Sequence, residues 1–180
     1  MPLCLLSALV RLRTVAEGLL SALAHDLEIE TSDVSGEAEG PDGPVHLRVP
    51  VARLKVTGAV RKGNVVEGVL GPMEREEIER RMADAIGGEA LVIEATLHAT
   101  GDAKVARLHV QAPRGSETVQ ADVQRDTNEN GRVEVRGACA LSMRALGVGP
   151  VKGPLGAFRI KDEVWVTFEA TFAPPEAGDA

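Results

Sequence analysis

The chain has 180 residues, 27 acidic against 20 basic side chains, and a formal net charge of −7. That balance excludes nucleic acid as the expected partner, because a phosphate-backbone binder needs a basic footprint. Aromatic residues are only 2% (three Phe, one Trp and no Tyr), which also argues against stacking platforms for bases or sugars.

Length and a hydrophobic content of 44% fit a single domain over residues 1–180, its tail frayed from about residue 174. Cys4 and Cys139 make no disulfide framework and have no metal-ligand company. Cys139 falls on the apolar face of a strand pattern and reads as a small buried side chain, with nothing local to lower its pKa.

The opening MPLCLLSALV is apolar, but no Lys or Arg precedes it, and Arg11 and Arg13 interrupt its continuation. Residues 5–15 therefore read as a first strand and not as a signal peptide. No run approaches the roughly 18 apolar residues of a membrane span. The expected compartment is cytoplasmic, with the periplasm left open.

After a short turn at 17–24, HDLEIET and VSGEAE read as strands, and GPDGP breaks the chain. In VHLRVPVARLKV, Val45, Leu47, Val49 and Val51 share a face, while Pro50 implies an edge position or a bulge that resets the register. MEREEIERRMADAIGG is the one helix, opened by Gly71-Pro72 and closed by Gly87-Gly88. Its acids lead its bases, with i,i+4 pairs expected at Glu76–Arg80 and Glu77–Arg81. Ile78, Met82, Ala85 and Ile86 form a narrow apolar stripe, suited to docking on a barrel's flank or end.

The second half is a meander. EALVIEATLHAT, AKVARLHVQAP, ETVQADVQRD and GRVEVRGACAL are each strand-length, with turns at 100–102, 113–115 and 128–131. The last strand, EVWVTFEATF at 163–172, alternates strictly. Val164, Val166, Phe168, Ala170 and Phe172 form its dry face, and Glu163, Trp165, Thr167, Glu169 and Thr171 the wet one. About eight to ten strands at regular spacing predict an all-β antiparallel barrel or sandwich.

No polar constellation is arranged for chemistry. His25 and Asp26 are adjacent on a strand, so they face opposite ways; His25 reads better as lining a cavity mouth than as an acid or base. His98 and His109 sit on polar faces without a ligand set around them. DTNENG imitates the start of a calcium loop but reaches Gly137 where a bidentate Glu belongs, so a hairpin turn at Asn130-Gly131 is favoured. Gly147, Gly149, Gly153 and Gly156 lack P-loop spacing, since Lys152 precedes its Gly and Pro150 and Pro154 remove donors; they suit a loop bending across a barrel end. Ser21, Ser35 and Ser116 stand in no nucleophile-elbow context.

The block LSMRALGVGPVKGPLGAFRIKDEVWVTFEATF resembles the carboxy-terminal end of YceI-like proteins. Leu146-Gly147-Val148 and Lys161-Asp162-Glu163-Val164 match that family's turn and final-strand wording, and HDLEIETSDVSGEAE, VARLKV and EREEIERRM match its front half more loosely. The family's Thr-x-His-Gly-Val-Thr element is missing, with AKVARLHV in its place. The resemblance covers most of residues 9–172. It implies a lipocalin-like barrel of about eight strands with one flanking helix, enclosing a hydrophobic cavity for a polyisoprenoid or isoprenoid quinone, with no chemical step.

The residues themselves point the same way. The inward sets are aliphatic, and a barrel of about eight strands can hold one small ligand. The expected ligand-binding residues are Leu27, Ile29, Val49, Leu91, Ile93, Leu97, Leu108, Val135, Leu146, Val164, Val166 and Phe168, with His25 at the mouth. No cofactor is expected beyond a bound isoprenoid lipid; the partner is an apolar small molecule, and a homodimer stays open. Two alternatives stand beside this one. One is a ligand-free barrel serving as a protein-interaction module; the other is an enzyme using His25 as acid or base.

Overall fold

The computed structural model describes residues 1–18, 25–98, 104–152 and 159–175. Residues 19–24 of the turn expected at 17–24, the turn at 100–102, part of the Gly-rich loop (153–158) and the end of the tail lie outside the described residues.

The strands are β1 (Leu3–Thr14), β2 (Ala16–Glu17), β3 (Asp26–Thr31), β4 (Ser35–Ala38), β5 (Val45–Pro50), β6 (Lys55–Arg61) and β7 (Asn64–Val66), followed by helix α1 (Pro72–Ile86). After the helix come β8 (Val92–His98), β9 (Val105–Ala112), β10 (Gly115–Thr127), β11 (Val133–Ser142), β12 (Arg159–Ile160) and β13 (Glu163–Ala173). Eight of them close a ring in the order β1, β4, β5, β8, β9, β10, β11, β13 and back to β1. Every pairing is antiparallel. Closure removes the free sheet edges that an open meander would leave. The apolar amino terminus is part of this wall: Val10 faces Phe168 and Leu12 faces Val166 across the seam.

The barrel is shut at one end and flared at the other. β4 and β3 lie one after the other along the same edge of β1, pairing with Leu3–Cys4 and Val10–Thr14 respectively. From β4 the sheet continues into β5 and the ring, whereas β3 leads away to β6 and β7. The split occurs at Pro50. It pairs with Val92 as the last residue of β5, after which a 3-10 turn, Val51–Arg53, redirects the chain into β6. β5 is interior, so Pro50 is neither an edge residue nor a register-resetting bulge. It ends the strand where its missing N–H costs no ladder bond.

At the shut end Phe172 and Val133, opposite each other and 0% exposed, plug the interior. Arg125, on the side of β10 shared by Ala121 and Val123, donates to the carbonyls of Pro41 at 2.9 Å and Gly43 at 3.0 Å. It thereby ties the 40–44 turn to the barrel wall.

Helix α1 packs on β6 and the 3-10 turn at the flared end. Gly71 precedes it with an extended backbone, Pro72 sits at its first turn, and the Glu74 carboxylate accepts from the Gly71 N–H at 2.8 Å. Gly87, at φ 136°, ends it. Glu79 fixes the helix to the sheet, accepting from Val56 N–H and from Lys55 Nζ, each at 2.9 Å. Of the expected surface pairs, Glu77–Arg81 forms at 2.7 Å, but Arg80 bonds Glu77 and Asp84 instead of Glu76. Glu77 reaches both arginines from one rotamer, which leaves Glu76 without that role.

Two strand pairs were not expected from the sequence. The β6–β7 hairpin turns at Lys62-Gly63, both at positive φ. β2 and β12 pair over two residues each.

Candidate ligand-binding cavity

The interior rows of an eight-stranded barrel must either fill it or leave room. Here they are mostly Val, Leu and Ala. Ala95 on β8 and Ala170 on β13 stand where larger side chains would close the lumen, and Gly137 on β11 presents no side chain at all. The Phe168 ring lies over Gly137, its cross-strand neighbour, in the space a Cβ would take.

What remains is two adjoining chambers. The inner one, 120 Å3, lies within the ring, with Leu54 and Leu146 completing its wall, and is lined entirely by apolar side chains. Its size and lining resemble engineered apolar cavities of about 150 Å3, which stay dry. The outer one, 350 Å3, lies at the flared end, between the barrel and helix α1. Leu12, Leu54, Ile93, Leu141 and Leu146 line both, so the two adjoin across one shared apolar wall, in line from helix to barrel centre.

The residues expected from the sequence distribute over these two chambers. Val49, Leu97, Leu108, Val135, Val166 and Phe168 line the inner chamber. Leu27, Ile29, Val164 and His25 line the outer one, and Ile93 and Leu146 face both. Leu91 does not reach either. It precedes β8, and its N–H bonds Gly88 while its carbonyl accepts from Val51, which turns its side chain toward Gly87 at the helix end. Reading EALVIEATLHAT as one strand extended the alternation a residue too far.

Several lining residues were not anticipated. The helix stripe Ile78, Met82, Ala85 and Ile86 is a wall of the outer chamber and not merely a docking face. Thr14, Arg81 and Lys152 also border it. Thr14 was readable in principle, since it continues the Val10, Leu12 row at strand period. Arg81 and Lys152 depend on the approach of separate segments, which no local pattern encodes.

The turn carrying Leu146 is held by β13 and its lead-in. The Asp162 carboxylate accepts from Ser142 Oγ and from the Arg144 N–H, and the Asp162 carbonyl accepts from the Met143 N–H. The hydrogen bond from Ser142 chiefly, then that from Arg144, holds the Asp162 carboxyl below its usual pKa. Gly147, at φ 74°, packs against Arg114 so closely that a Cβ would overlap its backbone. The Leu-Gly-Val and Lys-Asp-Glu-Val segments are thus two halves of one clasp at the cavity wall.

The histidines and their polar neighbours do not converge on one point. His25 lines the outer chamber, but the Asp26 carboxylate turns away to accept from the Ala16 N–H at 2.9 Å. Among the described residues no carboxylate lines either chamber. His109 bonds Thr118 at 2.9 Å on the outer face, and His98 is exposed opposite Arg107. Asn128 Oδ1 accepts from the Asn130 and Arg132 N–H groups, closing the hairpin within the calcium-loop-like DTNENG segment. Among the described residues there is no cluster of three or more His, Cys, Asp or Glu able to hold a metal. Cys139 is buried, and its thiol is pushed up to about 11, first by burial and then by Glu117.

Two solved structures share the architecture. BcnA of Burkholderia cenocepacia superposes with a TM-score of 0.58 at 14% identity, covering 91% of this chain and 95% of its own. A polyisoprenoid-binding domain from Saccharophagus degradans, implicated in plant cell wall breakdown, gives 0.63 at 10% identity, over 96% and 98%. The fold is YceI-like. At these identities the likeness establishes the lipocalin-like barrel and leaves the ligand to be argued from this chain's own residues. No protein-family model and no curated protein matches the sequence. Among the described residues no helix is long and apolar enough to cross a membrane.

Proposed function

We propose that the protein binds, carries or sequesters a long-chain apolar ligand of the isoprenoid class, without a chemical step. The observation that carries this is the pair of adjoining apolar chambers that share Leu12, Leu54, Ile93, Leu141 and Leu146. Small shifts of those side chains join them into one passage for a chain-like ligand. A flexible chain suits it better than a rigid ring system, because the inner chamber is the smaller and lies deepest. Each buried methylene contributes roughly 0.8 kcal/mol. Several prenyl units can therefore offset association and ordering costs of about 4–15 kcal/mol. The shared fold with a polyisoprenoid-binding domain supports the same ligand class. An acid–base role for His25 has less support, since Asp26 points elsewhere and no carboxylate accompanies it in the lining.

The test is organic extraction of the purified protein with mass spectrometry, followed by titration of the delipidated protein with geranylgeraniol and a prenyl quinone. A co-purifying prenyl lipid, or saturable binding of either probe, is expected. A reproducibly empty protein that binds neither overturns the proposal.

A further inference from the structure

The outer chamber is apolar except at four side chains, and none of the four is acidic. Thr14 comes from the end of β1, His25 from the start of β3, Arg81 from α1 and Lys152 from the segment after β11. In a chain of net charge −7, a lining with two permanent cations and no carboxylate among the described residues runs against the overall composition. Arg81 and Lys152 are both exposed residues. Each therefore contributes its stem to the apolar wall and holds its charge toward water.

A second observation comes from Thr14. Its Oγ1 is buried and has no hydrogen-bond partner. A buried hydroxyl left unpaired is costly and uncommon in native proteins. The Thr14 side chain lines the outer chamber, and a rotation about χ1 would bring this covered hydroxyl to a ligand oxygen there. Arg81 already gives its Nε to Glu77 at 2.7 Å, which fixes the side chain and leaves its terminal NH2 groups as donors. Every charged group in the set is therefore a donor, and Thr14 and His25 can donate as well.

We propose that the ligand is an amphiphile whose tail fills the passage and whose head carries an anionic oxygen, a carboxylate or a phosphate monoester, held by Thr14, Arg81 and Lys152. This rests on the apolar-ligand proposal and adds the head group to it. Arg81 is paired with Glu77 through Nε alone, so the neutral head of an alcohol or a quinone brings no anionic acceptor to its terminal nitrogens or to Lys152, and an amine is repelled by them.

Delipidated protein is titrated calorimetrically with four C20 prenyl probes of matched tail: geranylgeranyl phosphate, geranylgeranoic acid, geranylgeraniol and geranylgeranylamine. At least one anionic probe is expected to bind about tenfold or more tightly than the alcohol, as charge-assisted hydrogen bonds allow, and the amine most weakly. The phosphate and acid arms separate the two head chemistries. In the Arg81→Met/Lys152→Met double variant, the ratio of anion to alcohol affinity should fall to about twofold or less. Thr14→Val, which keeps the shape and removes the hydroxyl, should lower it less. Lys104→Met/Arg107→Met makes the same change in net charge away from the chamber, and there the ratio should hold. Equal affinities for anion and alcohol in the unaltered protein, or a preference that survives the Arg81/Lys152 double variant, would overturn the head-group proposal while leaving the apolar ligand standing. Failure of all four probes to bind would overturn both.

Discussion

Ser142 donates its hydroxyl to the Asp162 carboxylate at 2.7 Å, joining the end of β11 to the residue just before β13. The other Asp162 oxygen accepts from the Arg144 N–H at 2.8 Å, and Ser142 Oγ accepts from Ala145 N–H at 3.1 Å. This clasp holds Leu146 and Val148 against the outer chamber, so a polar contact at the barrel's end controls an apolar wall.

Replacing Asp162 with Asn should therefore cost about 1–2 kcal/mol, below the roughly 1.5–3 kcal/mol of a charged acceptor because the carboxylate lies close to solvent, and weaken binding of an apolar probe. The pH dependence has a fixed sign. The folded Asp162 pKa lies below its ordinary value, so its stabilisation is present above the unfolded carboxylate pKa. It is lost as pH falls through the lower folded value. Urea unfolding of the two proteins should show a gap at neutral pH that narrows below about pH 4. A gap of constant size across that range would assign the effect to something other than the carboxylate.

Phe168 lines the inner chamber with its ring seated over Gly137. A Cβ at Gly137 would overlap the Phe168 ring and approach the Asp122 carbonyl at 2.9 Å. Gly137→Ala should destabilise by about 1–3 kcal/mol through overpacking and drive the ring into the lumen, reducing probe affinity. Adding Phe168→Leu should restore part of both. A double-mutant cycle by denaturation and probe titration measures the coupling, and independent effects at the two sites would contradict the stacked arrangement.

The strands that alternate over many residues were legible before the structure. β13, β9 and β11 show period two because one face is dry, and the helix declares itself through Gly71-Pro72 and Gly87. The general lining followed from those same rows. Three things were not legible, each for a physical reason. β2 and β12 are two residues long, too short for a period. Pro50 looked like an edge signal because the sequence does not reveal that the sheet divides beside it. Arg81, Lys152 and the clasp at Asp162 arise from segments that meet only in the folded chain.

The empty volume itself separates a binding site from a packing defect. Ala95 faces the inner chamber between Leu47 and Val110. Ala95→Leu should fill part of it and raise stability by about 0.5–2 kcal/mol, as cavity-filling substitutions commonly do. Affinity for a prenyl probe should fall at the same time. Opposite signs for stability and binding are the expected outcome, read by thermal unfolding and titration on the same samples. Unchanged affinity would mean that the ligand does not enter the inner chamber.

Thiol reactivity tests the inward face of β11. Cys139 is buried with its pKa pushed up to about 11, so it is protonated at neutral pH and shielded from reagent. Cys4 is exposed. Iodoacetamide at neutral pH should label Cys4 alone in the folded protein and both thiols in urea, as peptide mass spectrometry would record. Cys139 shares its row with Val135 and Leu141, both chamber-lining, and stands opposite Val166. Rapid labelling of Cys139 in the folded state would therefore mean that this row faces solvent, and the passage could not be where these residues place it.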